Sequence, residues 1–500
     1  MPDIVRQAGA RLTGHVDPLM QKRFYPGPLS NLRRSYQAFH SFDKAHTVAL
    51  HDSRLITTAV AKAILGGLRE MEAEGIEAVR DGMGGGRHSG EAYLTGKLGA
   101  DIAGWINLGR SSGDLDAVSW RFNLRRRLPA VLGKINRLRA SLLDIAEKHV
   151  LTIMPGYSIG QHAQCISLAH MLLSWEAPFA RDVKRAGAVY EDAGGSPSGS
   201  GIMTGSTFPI SRQRTADLLG FDSVQINTRD AVINLDVMLQ ALSTATIGVS
   251  NALSVASDLY LWTMTEFKFV DLADVYCSTS SIMPQKKNSW ALAWIRGQAS
   301  LAIGRLSGVF TLLKGESDGL EDTLMGPWQL YETLDELEDM VEMLAGIVAT
   351  MKVDTERLAK IAAHGWTQAT DLAAMLTQEA KISWRDAHQV VAHLVRESVD
   401  AGLQPEEVRT HHIDAVAERL LGRTLGVSQK AIDASLDPQQ ALDSRSQVEG
   451  SPAPEQVRKQ LTAARAALQQ DNDRIDGYSR RLAEAAKRLE GAVDTILSSR

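Results

Sequence analysis

The feature that most constrains this chain is a set of long runs in which apolar residues return every three or four positions. The clearest covers residues 114–148, with Leu115, Val118, Phe122, Leu128, Val131, Ile135, Leu138, Leu142 and Ile145 on one face. Pro129 falls inside it and is expected to kink the helix. Further helical runs are read over residues 160–190, 230–270, 288–313 and 327–351. An amphipathic helix must cover its apolar stripe, and five of this length do so by packing on one another. The expected class is all-α, with a long five-helix bundle at the centre.

Composition narrows the function. A net charge of -5 over 500 residues, with no basic stripe, argues against nucleic acid as a partner. The two cysteines, Cys165 and Cys277, are far apart and lack metal-ligand spacing, so neither a disulfide framework nor a metal is expected. The stretch "MPDIVRQAGARLTGHVD" has no signal-type apolar core, and no apolar run reads as long enough to span a bilayer. The expectation is a cytoplasmic protein with no membrane partner and no cofactor.

The breaks between runs carry information. "DGMGGGRHSGE" (81–91) reads as a flexible Gly-rich loop, and "DAGGSPSGSGIMTGSTFP" (192–209) as a Gly/Ser/Pro loop long enough to be a lid. Residues 352–467 read as shorter helices, and 468–500 as a solvated, heptad-like extension or oligomer contact. The boundaries expected are 1–113, 114–365, 366–467 and 468–500.

One polar segment stands out. "CSTSSIMPQKKNSW" (277–290) sets four consecutive hydroxyl residues before two lysines and an asparagine, close to the start of a helical run. Helix N-termini, ammonium groups and neutral donors together favour a carboxylate or phosphate. A serine held among such groups gains alkoxide character. The same residue types also suit a capped helix preceded by a polar loop.

The string "TSSIMPQKKN" resembles the signature of the fumarase/aspartase superfamily, Gly-Ser-Ser-x-Met-Pro-x-Lys-x-Asn. "MPGYSIGQHAQ" (154–164), "LGRSSGD" (108–114), "SPSGSGIMTGSTFPISR" (196–212), "SWRDAHQVVAHLV" (383–395) and "SRSQVEGSPAPEQVRKQL" (444–461) resemble segments of its argininosuccinate lyase branch. The resemblance implies a three-domain all-α fold and a homotetramer whose active sites are shared between subunits. It implies elimination of an amine or water from a succinyl group to give fumarate, without a cofactor. Carried over by position, Ser280 is the base and Lys286 supports its alkoxide. Ser281, Met283 and Asn288 contact the substrate, as do Arg110, Ser111, Ser158 and Gln161. Each of these last four also suits loop or helix-capping polarity.

The departures from the pattern are specific. Ile159 stands where the family has a histidine; His162, expected one helical turn on, is the nearby candidate to replace it and equally suits a surface or packed histidine. Thr279 replaces the signature glycine, which should stiffen the loop. Ser112 and Gly113 replace an Arg-Asn pair, and Ala293-Trp294 a glutamate. The branch's Tyr, Gln and Lys that grip the arginine half fall in "GLEDTLMGPW" (319–328), which has none of them. The expected reaction is therefore reversible carbon–nitrogen cleavage of an N-substituted aspartate other than argininosuccinate. Members that add diamines to fumarate, such as ethylenediamine-disuccinate lyase, are the natural comparison. A different elimination on the same fold, or a non-catalytic structural homologue, are the alternatives.

Overall fold

A computed structural model describes residues 17–19, 33–313 and 322–500. An N-terminal layer holds α1 (Tyr36–Asp52), α2 (Thr58–Glu74) and α3 (Ser89–Leu98). The long helix α4 (Ser112–Lys148) follows, then a hairpin of β1 (Ile153–Ser158) and β2 (Gln161–Ser167). Next come α5 (Leu168–Asp192), α6 (Arg212–Leu219) and α7 (Asp236–Trp262). A small hairpin, β3 (Ser278–Thr279) with β4 (Lys287–Asn288), precedes α8 (Trp290–Leu312) and α9 (Asp322–Thr350). The remaining labelled helices are α10 (Thr355–His364), α11 (Ala369–Glu379), α12 (Trp384–Ala401), α13 (Thr410–Leu421) and α14 (Pro454–Ser498).

Helices α4, α5, α7, α8 and α9 form the central bundle. Their facing stripes, including Leu132, Leu142, Phe179, Leu242, Val249, Ile295 and Leu344, merge into one buried core. The all-α bundle read from periodicity is thus the observed one. Pro129 lies within α4, Pro178 within α5 and Pro327 within α9, none of which ends its helix.

Three readings need correction. The run at 160–190 is not one helix. Residues 161–167 are strand β2, paired antiparallel with β1, and the helix starts at Leu168 behind the cap Ser167, whose hydroxyl accepts from His170 N at 3.1 Å. The stretch around α7, residues 228–262, is long and apolar enough to cross a membrane by length and composition, contrary to expectation. Half of that window is buried, with α7 packed among α5, α8 and α9, so its apolarity is that of a bundle-core helix.

The third correction concerns the C-terminus. Helix α14 runs unbroken from Pro454 to Ser498 and is not a detached extension. Val457, Leu461, Leu468, Ile475 and Tyr478 pack into the bundle, while Leu489, Val493 and Ile496 reach the N-terminal core. Polar clamps hold both parts. Buried Arg139 of α4 donates to Glu176 of α5 (2.6 Å) and Asp471 of α14 (2.7 Å). Buried Lys44 of α1 donates to Glu72 of α2 (2.8 Å) and Glu490 of α14 (2.6 Å).

Candidate active site

The signature segment is a hairpin, and its chemistry follows from that shape. Ser278 pairs with Asn288 and Thr279 with Lys287, leaving 280–286 as the tip. Thr279 therefore sits in extended backbone, where a β-branched residue is at home, so no strain follows from losing the signature glycine. At the tip, Ser280 Oγ accepts hydrogen bonds from Ile282 N (3.3 Å) and Met283 N (3.1 Å). Donors aimed at a hydroxyl oxygen stabilise its anion more than its neutral form. Ser281 and Met283 are exposed beside it.

The two lysines have separate jobs. Lys287 Nζ bonds Asp274 (2.9 Å), Asp271 (3.0 Å) and Leu272 O (2.5 Å), which moors the hairpin's base. The hydrogen bond to Asp274, assisted by Asp271 against slight desolvation, raises its pKa to about 12. Lys286 makes no ion pair among the described residues and lines a cleft of about 930 Å³ together with Asn288. The helix start lies slightly beyond, at Trp290.

A second group gathers at the start of α4. Ser111 caps the helix: its hydroxyl accepts from Gly113 N at 3.1 Å. Asp114 accepts from Ser111 N (3.0 Å) and, across the 195–206 loop, from Gly201 N (3.1 Å). Arg110, expected to touch substrate, is buried on a carboxylate within the subunit, with its Nε and Nη1 unpartnered among the described residues. Its side chain is 3% exposed, pairs with Asp43 at 2.8 Å and lies over the Phe42 ring. A guanidinium buried on a carboxylate holds the backbone before Ser111 in place. Gly113, where the branch carries an amide, is crowded by apolar side chains: a Cβ there would meet Ile202 Cδ1 at 2.9 Å and Val232 Cγ1 at 3.1 Å, so these would have to shift to admit one.

The third group is the β1–β2 hairpin. Ser158 pairs with Gln161, and Ile159 and Gly160 form the turn with φ of 52° and 71°. Ile159 is 99% exposed. His162 is not a helical turn from Ile159, because both lie on the hairpin. It stands opposite Tyr157 (ring centroids 5.2 Å apart) with one edge against Gly365, and burial lowers its pKa.

Sequence reasoning missed Asp114, whose capping-box spacing from Ser111 was a usable signal. Burial raises its pKa to about 6 from the ordinary 3.8, although Ser111 N and Gly201 N oppose the shift. A carboxyl with a raised folded pKa favours the folded state most below the unfolded value, and that contribution is lost as pH rises through about 6. The gap corresponds to about 3 kcal/mol. Relative to Asp114→Asn, wild-type stability is expected to fall between pH 4 and pH 6.5 in denaturant titrations; parallel curves would refute this.

With this geometry in hand, comparison with known proteins is decisive. Residues 11–304 match a family described as lyase, and 366–443 match the C-terminal region of argininosuccinate lyase. The chain is 34% identical over 458 residues to argininosuccinate lyase of Methanosarcina barkeri, covering 90% of this chain and 91% of that one. The chain belongs to the argininosuccinate lyase branch of the fumarase/aspartase superfamily. An argininosuccinate lyase of Methanoculleus marisnigri is 35% identical over 86% of this chain and 87% of its own. Among solved structures, EDDS lyase with formate superposes with a TM-score of 0.88 at 28% identity, covering 97% of both chains. An EDDS lyase variant with bound fumarate gives the same score over 99% of both chains. Class II fumarase from Schistosoma mansoni, at 14% identity and TM-score 0.68 over 81% of this chain and 90% of its own, shares the fold. Membership supports an elimination of the fumarate-lyase type.

Proposed function

We propose that this enzyme reversibly cleaves the carbon–nitrogen bond of an N-substituted aspartate to fumarate and a free amine. The observation that carries the reading is Ser280 Oγ held by two backbone N–H groups at the tip of a moored hairpin, whose Lys286 makes no ion pair among the described residues. In the cleavage direction the Ser280 alkoxide takes the proton next to a carboxylate, and the electron pair moves into that carboxylate as a dianion. Lys286, Asn288 and Ser281 stabilise this charge, which is where such an enzyme gains most. The pair then forms the double bond as the carbon–nitrogen bond breaks. Ser111, Ser158 and Gln161 bind the second carboxylate and the amine side.

Argininosuccinate is not the proposed substrate, although the curated relatives carry its name. Gly113 supplies no clamp amide, and the side-chain tips of Ile202 and Val232 crowd the position. An apolar pocket disfavours a substrate that brings an extra polar group by about a hundredfold. The 319–328 segment, where the arginine-side residues would fall, lies partly outside the described residues. The test is fumarate absorbance with a panel of amines, arginine included, and Ser280→Ala as control. Loss of fumarate with arginine alone would reverse the substrate proposal.

His162 is the proposed proton donor to the leaving amine. Its lowered pKa means that it is charged only under acidic conditions, so its contribution grows as pH falls. His162→Asn is expected to lower kcat by about 100-fold at pH 6 and by less at pH 8. An unchanged profile would assign that proton to the amine itself. A second reading, elimination of water rather than an amine, is favoured by the same apolar crowding at Gly113. Fumarate consumed in amine-free buffer would select it; no turnover and no fumarate binding would leave a structural homologue.

The working particle is proposed to be a cytoplasmic homotetramer with shared sites. Helices α7 and α8 leave Ile247, Leu261, Leu301, Ile303 and Phe310 exposed, apolar surface suited to self-association.

A further inference from the structure

We infer that the amine released or added here carries an aromatic or comparably broad apolar group, and that Trp290 selects it. The inference rests on the carbon–nitrogen reading and concerns the cleft beside the signature hairpin. That cleft holds about 930 Å³, toward the upper end of what small-molecule sites occupy. A four-carbon dicarboxylate held at Lys286 and Asn288 fills only a small part of it. The rest is space for the other half of the substrate and for whatever segments the proposed neighbouring subunits contribute.

The walls differ in chemistry. Lys286 and Asn288 give one end donors suited to carboxylates. Tyr260, Met264 and Trp290 add apolar, polarisable surface to the same cleft. Trp290 is 65% exposed and Met264 38%, so neither is packed in the subunit's core. Trp290 follows Asn288 by two residues, which puts an indole beside the carboxylate-binding end. The Tyr260 ring is already covered on one side by Arg296, whose guanidinium lies 4.4 Å from the ring centroid. Glu266 also lines the cleft and supplies an acceptor for an ammonium. An indole face attracts both aromatic rings and cations, so an amine with an aryl group gains from Trp290 twice. A short diamine or a small alkylamine gains little from these three side chains.

The experiment measures fumarate consumption with benzylamine, ethylenediamine and methylamine, in wild type, Trp290→Ala and Trp290→Phe. Because Trp290 is exposed, its truncation leaves no core cavity. The expected kcat/KM for benzylamine exceeds that for methylamine by about tenfold or more. In Trp290→Ala that ratio is expected to drop to near unity, and Trp290→Phe restores most of it. A ratio near unity in wild type, or one unchanged in Trp290→Ala, overturns the inference while leaving the carbon–nitrogen reading intact. Calorimetric binding of N-benzylaspartate against N-methylaspartate decides the matter without turnover: about tenfold tighter binding of the benzyl compound supports the inference, and equal affinity overturns it. Failure of every amine to react would count against the proposed reaction instead.

Discussion

Replacing Ser280 with alanine is expected to lower kcat for amine addition to fumarate by about a thousandfold, with little change in KM for fumarate. Only the transition state needs the base, whereas ground-state binding of the dicarboxylate draws on Lys286, Asn288 and Ser281. The variant is expected to keep its fold, since Ser280 lies at a hairpin tip and, among the described residues, its Oγ accepts only from Ile282 N and Met283 N, which water can satisfy. Progress curves of fumarate absorbance check the rate, and equilibrium fumarate binding checks the ground state. A fall of less than about tenfold would move the base elsewhere. A fall accompanied by lost fumarate binding would make Ser280 a ligand contact.

The second large effect concerns stability. Asp43→Ala is expected to cost about 3–5 kcal/mol, because it strands two buried guanidinium groups. Asp43 is 3% exposed and pairs with Arg80 of the segment before the Gly-rich loop (2.7 Å) and with Arg110 (2.8 Å). Burial alone would raise this carboxyl's pKa, but Arg110 and Arg80 outweigh it and hold the group below its ordinary value. The sign follows: a depressed folded pKa gives stability that is present above the unfolded value near 3.8 and lost as pH falls. Denaturant titration at pH 7 checks the magnitude. A loss under about 1 kcal/mol would mean that water reaches the arginines.

These two positions also show what the sequence disclosed. The Ser280–Asn288 string was legible because it is long and specific, but its hairpin pairing was not, and that pairing separates the role of Lys287 from that of Lys286. Arg110 looked like a substrate contact by position; its partner Asp43 lies far off in sequence, and only the fold brings them together. Helices α4, α7, α8 and α9 were legible because each carries a sustained apolar stripe. Strand β2 was hidden because its short alternation runs straight into the stripe of α5, and Gly160, the turn signal, was absorbed into the helical run. The terminal helix looked solvated because its apolar residues are widely spaced; they are shared between two cores rather than lining one.

In the proposed tetramer, the backbone at Ile159 would link stability to protein concentration. A β-branched residue with φ of 52° carries a conformational penalty of about 1–2 kcal/mol, and its side chain gains no burial within the subunit. If neighbouring copies cover it, that penalty is offset only after assembly, so the isolated subunit is the weaker state. Ile159→Gly is then expected to raise the melting temperature of dilute protein and to flatten its rise with concentration. A melting curve that ignores dilution in both proteins would show that this tip faces water throughout.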